Sequence, residues 1–188
     1  MTIHSSQLYQ KAPIATVVSG LADQAGSDLP GALAHAEQLL VGASDADRDS
    51  LANLLHAGIA LGLLSAFLSE ASTYATTKTR HWPGSGYDRA ADDPHLIARF
   101  GRFVSAVEAL RALVDEAAAL VERSSPDAAR AAAVARHHSI SVGSQFISST
   151  IELLGASAVS VKLGYDGRWR AILDHARKHP PRGQLQPA

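Results

Sequence analysis

His175 and His179 stand four residues apart near the end of the chain, a spacing that places two imidazoles on one face of a helix. Such a pair can contribute to a metal site. No third ligand is evident and no HExxH pattern occurs, while Pro180 frays a helix at the second histidine. No metal site is therefore expected. His137 and His138 are adjacent, so on a helix they point about 100° apart and do not easily serve one ion. They are expected to be structural or partly exposed. Two clusters combine basic and aromatic groups: Lys78, Arg80 and His81 beside Trp82, and Arg168 and Arg170 around Trp169. The first has two readings. Cations are favoured at the carboxyl end of a helix, and a guanidinium fork beside an indole suits an anionic, planar cofactor. The second equally fits an indole anchoring its helix to a core.

Composition narrows the field. The chain has no cysteine, which excludes disulfides, thiolate metal sites and cysteine nucleophiles. Glycine-rich dinucleotide and P-loop motifs are absent, as is a GxSxG elbow. A net charge of −1 gives no indication of a broad nucleic-acid surface. Alanine is abundant and aromatic residues are only 5%, which favours closely packed helices. The run Leu51 to Leu68 has the length of a membrane span, yet it contains Asn53, His56 and Ser65 and continues into amphipathic sequence. It reads as a buried bundle helix. With no signal-peptide pattern at the start, a cytoplasmic location and no membrane partner are expected.

The elements that position these residues are helical. Residues 5–25 can form a helix that starts or kinks at Pro13, and a short one follows from about Pro30 to Val41, capped by Asp28. Residues 1–45 are the least clearly organised part. Ser44 or Asp45 caps a long helix from about Ala46 to Lys78, with apolar residues at three-and-four spacing. Gly58 and Gly62 lie four apart within it, which points to a close helix crossing or a ligand contact. Residues 79–91 form a loop, and Asp93-Pro94 starts an amphipathic helix to about residue 123. Its apolar positions include Leu96, Ile97, Phe100, Phe103, Val104 and Val107. Ser125-Pro126-Asp127 starts another helix, ending near Leu154 with Gly155 as a suitable stop. Residues 156–165 are ambiguous between turn and strand, and a last helix runs from about Asp166 to Pro180. The expected fold is all-α, an up-and-down four-helix-type bundle with extra short helices. It occupies residues 46–180 and is followed by a flexible tail, 181–188.

Several segments together resemble the C-terminal helical domain of the acyl-CoA dehydrogenase superfamily, closest to its flavin-dependent, dibenzothiophene-type monooxygenase branch. They are GIALGLLSAFLSEASTYATTKTRHW (58–82), YDRAADDPHLIARFG (87–101), ELLGASAVSVKLGYDGRWR (152–170) and DHARKHP (174–180). The resemblance implies a helical bundle that forms one wall of a flavin site in an oligomeric oxidoreductase. It implies Arg80, with Trp82 beside it, as a contact for flavin phosphate, and Glu152 and Gly155 near the cofactor. It also implies His175 as a catalytic histidine facing the flavin ring. FAD or FMN would be the cofactor, and an acyl-CoA or hydrophobic small molecule the substrate. A homo-oligomer or a partner flavoprotein chain would complete the site. Some positions depart from the family pattern. The glycine pair is Gly155-Ala156, Leu173 replaces an arginine two residues before His175, and no glutamate is placed as a dehydrogenase base. A middle β-domain has no counterpart in 188 residues, so the chain is expected to be a C-terminal module, inactive alone. The alternative is a non-catalytic helical interaction module that has kept the fold and lost the chemistry.

Overall fold

The computed structural model describes residues 12–79, 81, 84–154 and 164–183. The described elements are helical: α1 (Ile14–Ser27), α2 (Leu29–Val41), α3 (Asp45–Thr77), α4 (Pro94–Glu122), α5 (Ala128–Leu154) and α6 (Tyr165–Lys178), with one 3₁₀ turn at Ala90–Asp92. The helix starts follow local chemistry. Asp28, Ser44 and Asp93 each accept a hydrogen bond from a backbone N–H of the turn they cap, and Pro30 and Pro94 occupy first-turn positions where a missing N–H costs nothing. Of the two expected caps for α3, Ser44 serves.

α3 is the axis of the bundle. Its residues 51–64 are buried on every side, as expected of a helix surrounded by others. It is long and apolar enough to cross a membrane by length and composition, but 78% of its most apolar window lies inside the protein. α1 and α5 pack on it most extensively, followed by α4. Contacts of Val18 with Gly58, Ala22 with Gly62 and Gly26 with Ala66 advance in steps of four along both chains, so α1 runs parallel to α3. A Cβ built on Gly62 would lie 1.9 Å from the carbonyl oxygen of Ala22, and one on Gly58 would lie 2.6 Å from Val18 Cγ1. The two glycines therefore make a backbone-to-backbone crossing, the first of the two sequence readings. Residues 14–41, hard to organise from sequence, thus join the same core as α3.

The direction of the chain alternates from α1 to α6, which gives the bundle two chemically different ends. At one end Phe67, Phe103, Phe146, Tyr74 and Tyr165 meet edge to face across α3, α4, α5 and α6, with the Phe103 and Phe146 centroids 4.4 Å apart. At the other end lie imidazoles and a guanidinium. On α4, Ile97 and Val104 depart from the expected apolar face, being 58% and 48% exposed. Leu96, Phe100 and Phe103 fill the contact with the core instead, leaving those two on the outer flank.

Candidate functional site

The polar end is built around Arg136, which is 1% exposed. The α5 residues around it are mostly small, including Ala132, Ala133, Ala135 and Ser139, so the helix approaches closely and its guanidinium crosses the gap to α3 and α6. One nitrogen, Nη1, donates to the carbonyl of His56 (3.5 Å) and to Ser139 Oγ (3.2 Å). The other, Nη2, donates to the carbonyls of His175 (3.4 Å) and His179, and Nε also donates to His179 (3.2 Å). Two of these acceptors are carbonyls at the carboxyl end of α6, so Arg136 caps that helix and meets the negative end of its dipole. Carbonyl and hydroxyl oxygens thus meet this buried cation. Its desolvation lowers the guanidinium pKa to about 10.

Three imidazoles surround this cation. His56 Nδ1 lies 3.2 Å from His175 Nε2, a spacing for one N–H donating to one lone pair. The ring of His179 stacks on His56 at 4.2 Å. His56 and His175 are 5% and 3% exposed. Burial is the first cause that lowers their pKa values, to about 3 and about 2. Arg136 and the neighbouring imidazoles push in the same direction. Burial, and then Arg136, lower the His179 pKa as well, so the uncharged form of the ring is favoured at all three positions. The sequence pair His175 and His179 thus has a third histidine beside it. Among the described residues, however, no group of three or more His, Cys, Asp or Glu has the geometry to hold a metal ion.

Beyond Lys178 the chain leaves the helix and returns over this end as a strap. The Asn53 side chain holds it like a peptide group: Nδ2 donates to the carbonyl of Arg182 (2.7 Å), and the N–H of Arg182 donates to Oδ1 (2.8 Å). Arg182 also pairs with Asp49 at 3.7 Å. A cleft of about 520 Å³ runs beside the strap, lined by Asp49, Asn53, Arg130 and Arg182 among others. Against His175 itself there is only a cavity of about 10 Å³, room for roughly one water.

The expected site residues fall in different places. His175 lies in the buried cluster. Arg80, Trp82 and Gly155 lie outside the described residues, and Glu152 is on α5 with only its helical backbone described. The carboxyl end of α3, which leads to Arg80, is about 30 Å along the helix from His56, the ring that contacts His175. Tyr74, near the carboxyl end of α3, meets Tyr165 at the aromatic end, and His175 sits at the other. In the second basic–aromatic cluster, Arg168 pairs with Glu70 and donates to the carbonyl of Gly26 (3.3 Å). Trp169 packs on the core, with Arg170 5.8 Å above its ring. His137 is exposed and His138 half-buried. Sequence reading missed Arg136, the group on which the cluster depends. An arginine placed between alanines and Ser139, in a run otherwise fit for the core, was the available signal.

A family profile described as acyl-CoA dehydrogenase, C-terminal domain, matches residues 54–176. The chain belongs to this family. It is 28% identical over 141 residues to a dibenzothiophene monooxygenase of Rhodococcus erythropolis, an alignment covering 69% of the chain and 34% of that protein. A probable FMNH2-dependent monooxygenase of Pseudomonas putida is also 28% identical, over 136 residues, 66% of the chain and 34% of that protein. Among solved structures, methanesulfinate monooxygenase from Pseudomonas fluorescens superposes with a TM-score of 0.65 at 28% identity, covering 71% of this chain and 38% of that one. This acyl-CoA dehydrogenase C-terminal domain therefore spans about a third of the length of the curated relatives it matches. The family resemblance and its monooxygenase branch, both read from the sequence, hold.

Proposed function

We propose that this chain is the C-terminal helical module of a flavin-dependent oxidoreductase in the monooxygenase branch. The family match over residues 54–176 carries the proposal, and the similarity to a probable FMNH2-dependent monooxygenase supports its flavin part. FAD or FMN, when bound, supplies the redox chemistry, because no side chain of this cysteine-free chain can carry electrons. The chain's own residues bind and orient. Arg80, beyond the carboxyl end of α3, holds phosphate with Trp82 beside it, and Glu152 and Gly155 border the cofactor at the end of α5. Tyr74, in the last turn of α3, meets Tyr165 at the start of α6, where Gly164 makes no side-chain cap. His175 lies at the opposite end of the bundle from the one that leads to Arg80. Its flavin-facing role therefore requires both a moved strap, since in the closed chain His56 engages its ring, and a flavin other than the one held at Arg80 of the same chain.

Residues 46–180 form the flavin-associated unit. A second copy of the chain or a partner flavoprotein completes the pocket, and the substrate is a hydrophobic small molecule or an acyl thioester. The setting is cytoplasmic. A second reading, a non-catalytic interaction module, is favoured by one observation: His175 is sealed between His56 and Arg136.

Flavin titration separates the two. Purified chain, alone and with candidate flavoprotein partners, is mixed with FMN or FAD and passed over gel filtration with detection near 450 nm. Co-elution of flavin supports the first reading, and its absence in every mixture supports the second. Where binding is seen, Arg80→Ala weakens it about tenfold or more, as expected for loss of a charge-assisted hydrogen bond. An unchanged affinity removes Arg80 from the site.

A further inference from the structure

We propose that residues 179–182 form an acid-released latch, which closes over His56, His175 and His179 at neutral pH and opens the cluster and its neighbouring cleft to water when protons bind. The proposal holds whether or not the chain carries a flavin. The strap keeps one helical hydrogen bond, from the His179 N–H to the carbonyl of His175 (3.1 Å), and beyond it Pro180 and Pro181 have no N–H to offer. Its attachments are the Asn53 pairing with Arg182, the Arg136 bonds to the carbonyl of His179, the stacking of His179 on His56, and the Asp49–Arg182 pair.

One of these attachments, the stacking of His179 on His56, depends directly on proton occupancy, and so does the His56–His175 contact beneath it. An imidazole stacked on another loses favour when both are charged, and the contact between His56 and His175 needs a lone pair on one nitrogen. The surroundings oppose added positive charge. The charged groups around the cluster are Glu37 on α2, Asp49 on α3, Arg130 and Arg136 on α5, Lys178 on α6, and Arg182 on the strap. The cations outnumber the carboxylates, and Arg136 is the most deeply placed. His179, the least buried ring, has its pKa lowered by burial first and Arg136 second, with Glu37 opposing.

The direction follows from linkage. In the closed form the imidazole pKa values lie below their ordinary value of about 6.5, and opening restores them toward it. The open form therefore binds more protons below about pH 6.5, and falling pH favours it, while above that pH the closed form is undisturbed. Each imidazole that charges only on opening raises the open population by up to about tenfold per pH unit.

NMR of the 188-residue chain from pH 7.5 to 4.5 tests this directly, with far-UV circular dichroism followed in parallel. The expected result is that the Arg182 amide and the Asn53 side-chain amide leave their hydrogen-bonded positions together. The open-to-closed ratio should rise more than tenfold per pH unit while the helical signal is retained. His179→Phe keeps a ring to stack but cannot take a proton, and it should reduce the steepness by up to about tenfold per unit. His179→Gln serves the same purpose should the phenylalanine variant fold poorly. The latch is overturned if the two resonances stay in place until the helices melt, or if both His179 variants open with unchanged steepness.

Discussion

Gly62→Ala lowers the unfolding free energy by about 2 kcal/mol, the balance of overpacking at ~1–3 kcal/mol against a helix-propensity gain of up to ~1 kcal/mol. Strain wins because the new Cβ would meet backbone: the carbonyl oxygen of Ala22 at 1.9 Å and its carbonyl carbon at 2.6 Å. No rotamer change relieves such a contact, so α1 must shift along its whole packed face. Gly101→Ala is the matched control, since that glycine is also mid-helix but meets nothing within 4 Å. It should be stabilising by a few tenths to about 1 kcal/mol. Urea unfolding followed by circular dichroism measures both. A Gly62→Ala protein as stable as its parent would mean that α1 does not lie against α3 as closely as described.

Arg136→Ala is expected to cost more, about 3–5 kcal/mol, from buried carbonyls left unsatisfied at ~1–3 kcal/mol each together with the cavity. The substitution takes donors away from the carbonyls of His56, His175 and His179 and leaves a cavity in their place. Arg136→Lys should recover only part of the loss. An ammonium has three donors on a point charge, and it cannot span α3, Ser139 and the end of α6 as the planar fork does. The loss should show first at α6, as a change in Trp169 fluorescence at urea concentrations where the other helices persist. If Arg136→Ala costs less than about 1 kcal/mol, the guanidinium is not what fastens α6 to the bundle.

These two residues mark what could and could not be read in advance. Gly58 and Gly62 were legible as a crossing because small residues four apart on an apolar helix form a groove whatever fills it. Asp28, Ser44 and Asp93 were legible because a cap is a local interaction, complete within three residues. α1 was legible as a helix starting at Pro13, but its packing on α3 was not, since its partner lies some forty positions along the chain, where periodicity carries no information. The exposure of Ile97 and Val104 was likewise set by how α4 rolls against its neighbours, not by its own pattern. At the candidate site, His175 and His179 announced themselves by spacing. His56 and Arg136 did not, because His56 sits alone in an apolar helix and Arg136 is one polar residue beside His137 and His138, and only the fold brings the four together.

The alternation of chain direction has a thermodynamic consequence. It segregates the aromatic contacts from the imidazole–guanidinium contacts, with α3 as the shared shaft and about 15 Å of α5 between Arg136 and Phe146. Energetic perturbations at the two poles should therefore be nearly independent. Phe146→Leu and Arg136→Lys, combined in one chain, should sum to within about 0.3–0.5 kcal/mol of the separate losses. A coupling energy well above that in a double-mutant cycle would show that the shaft transmits strain from one pole to the other. Additivity would mean that each pole can diverge under its own selection while the other keeps the bundle assembled.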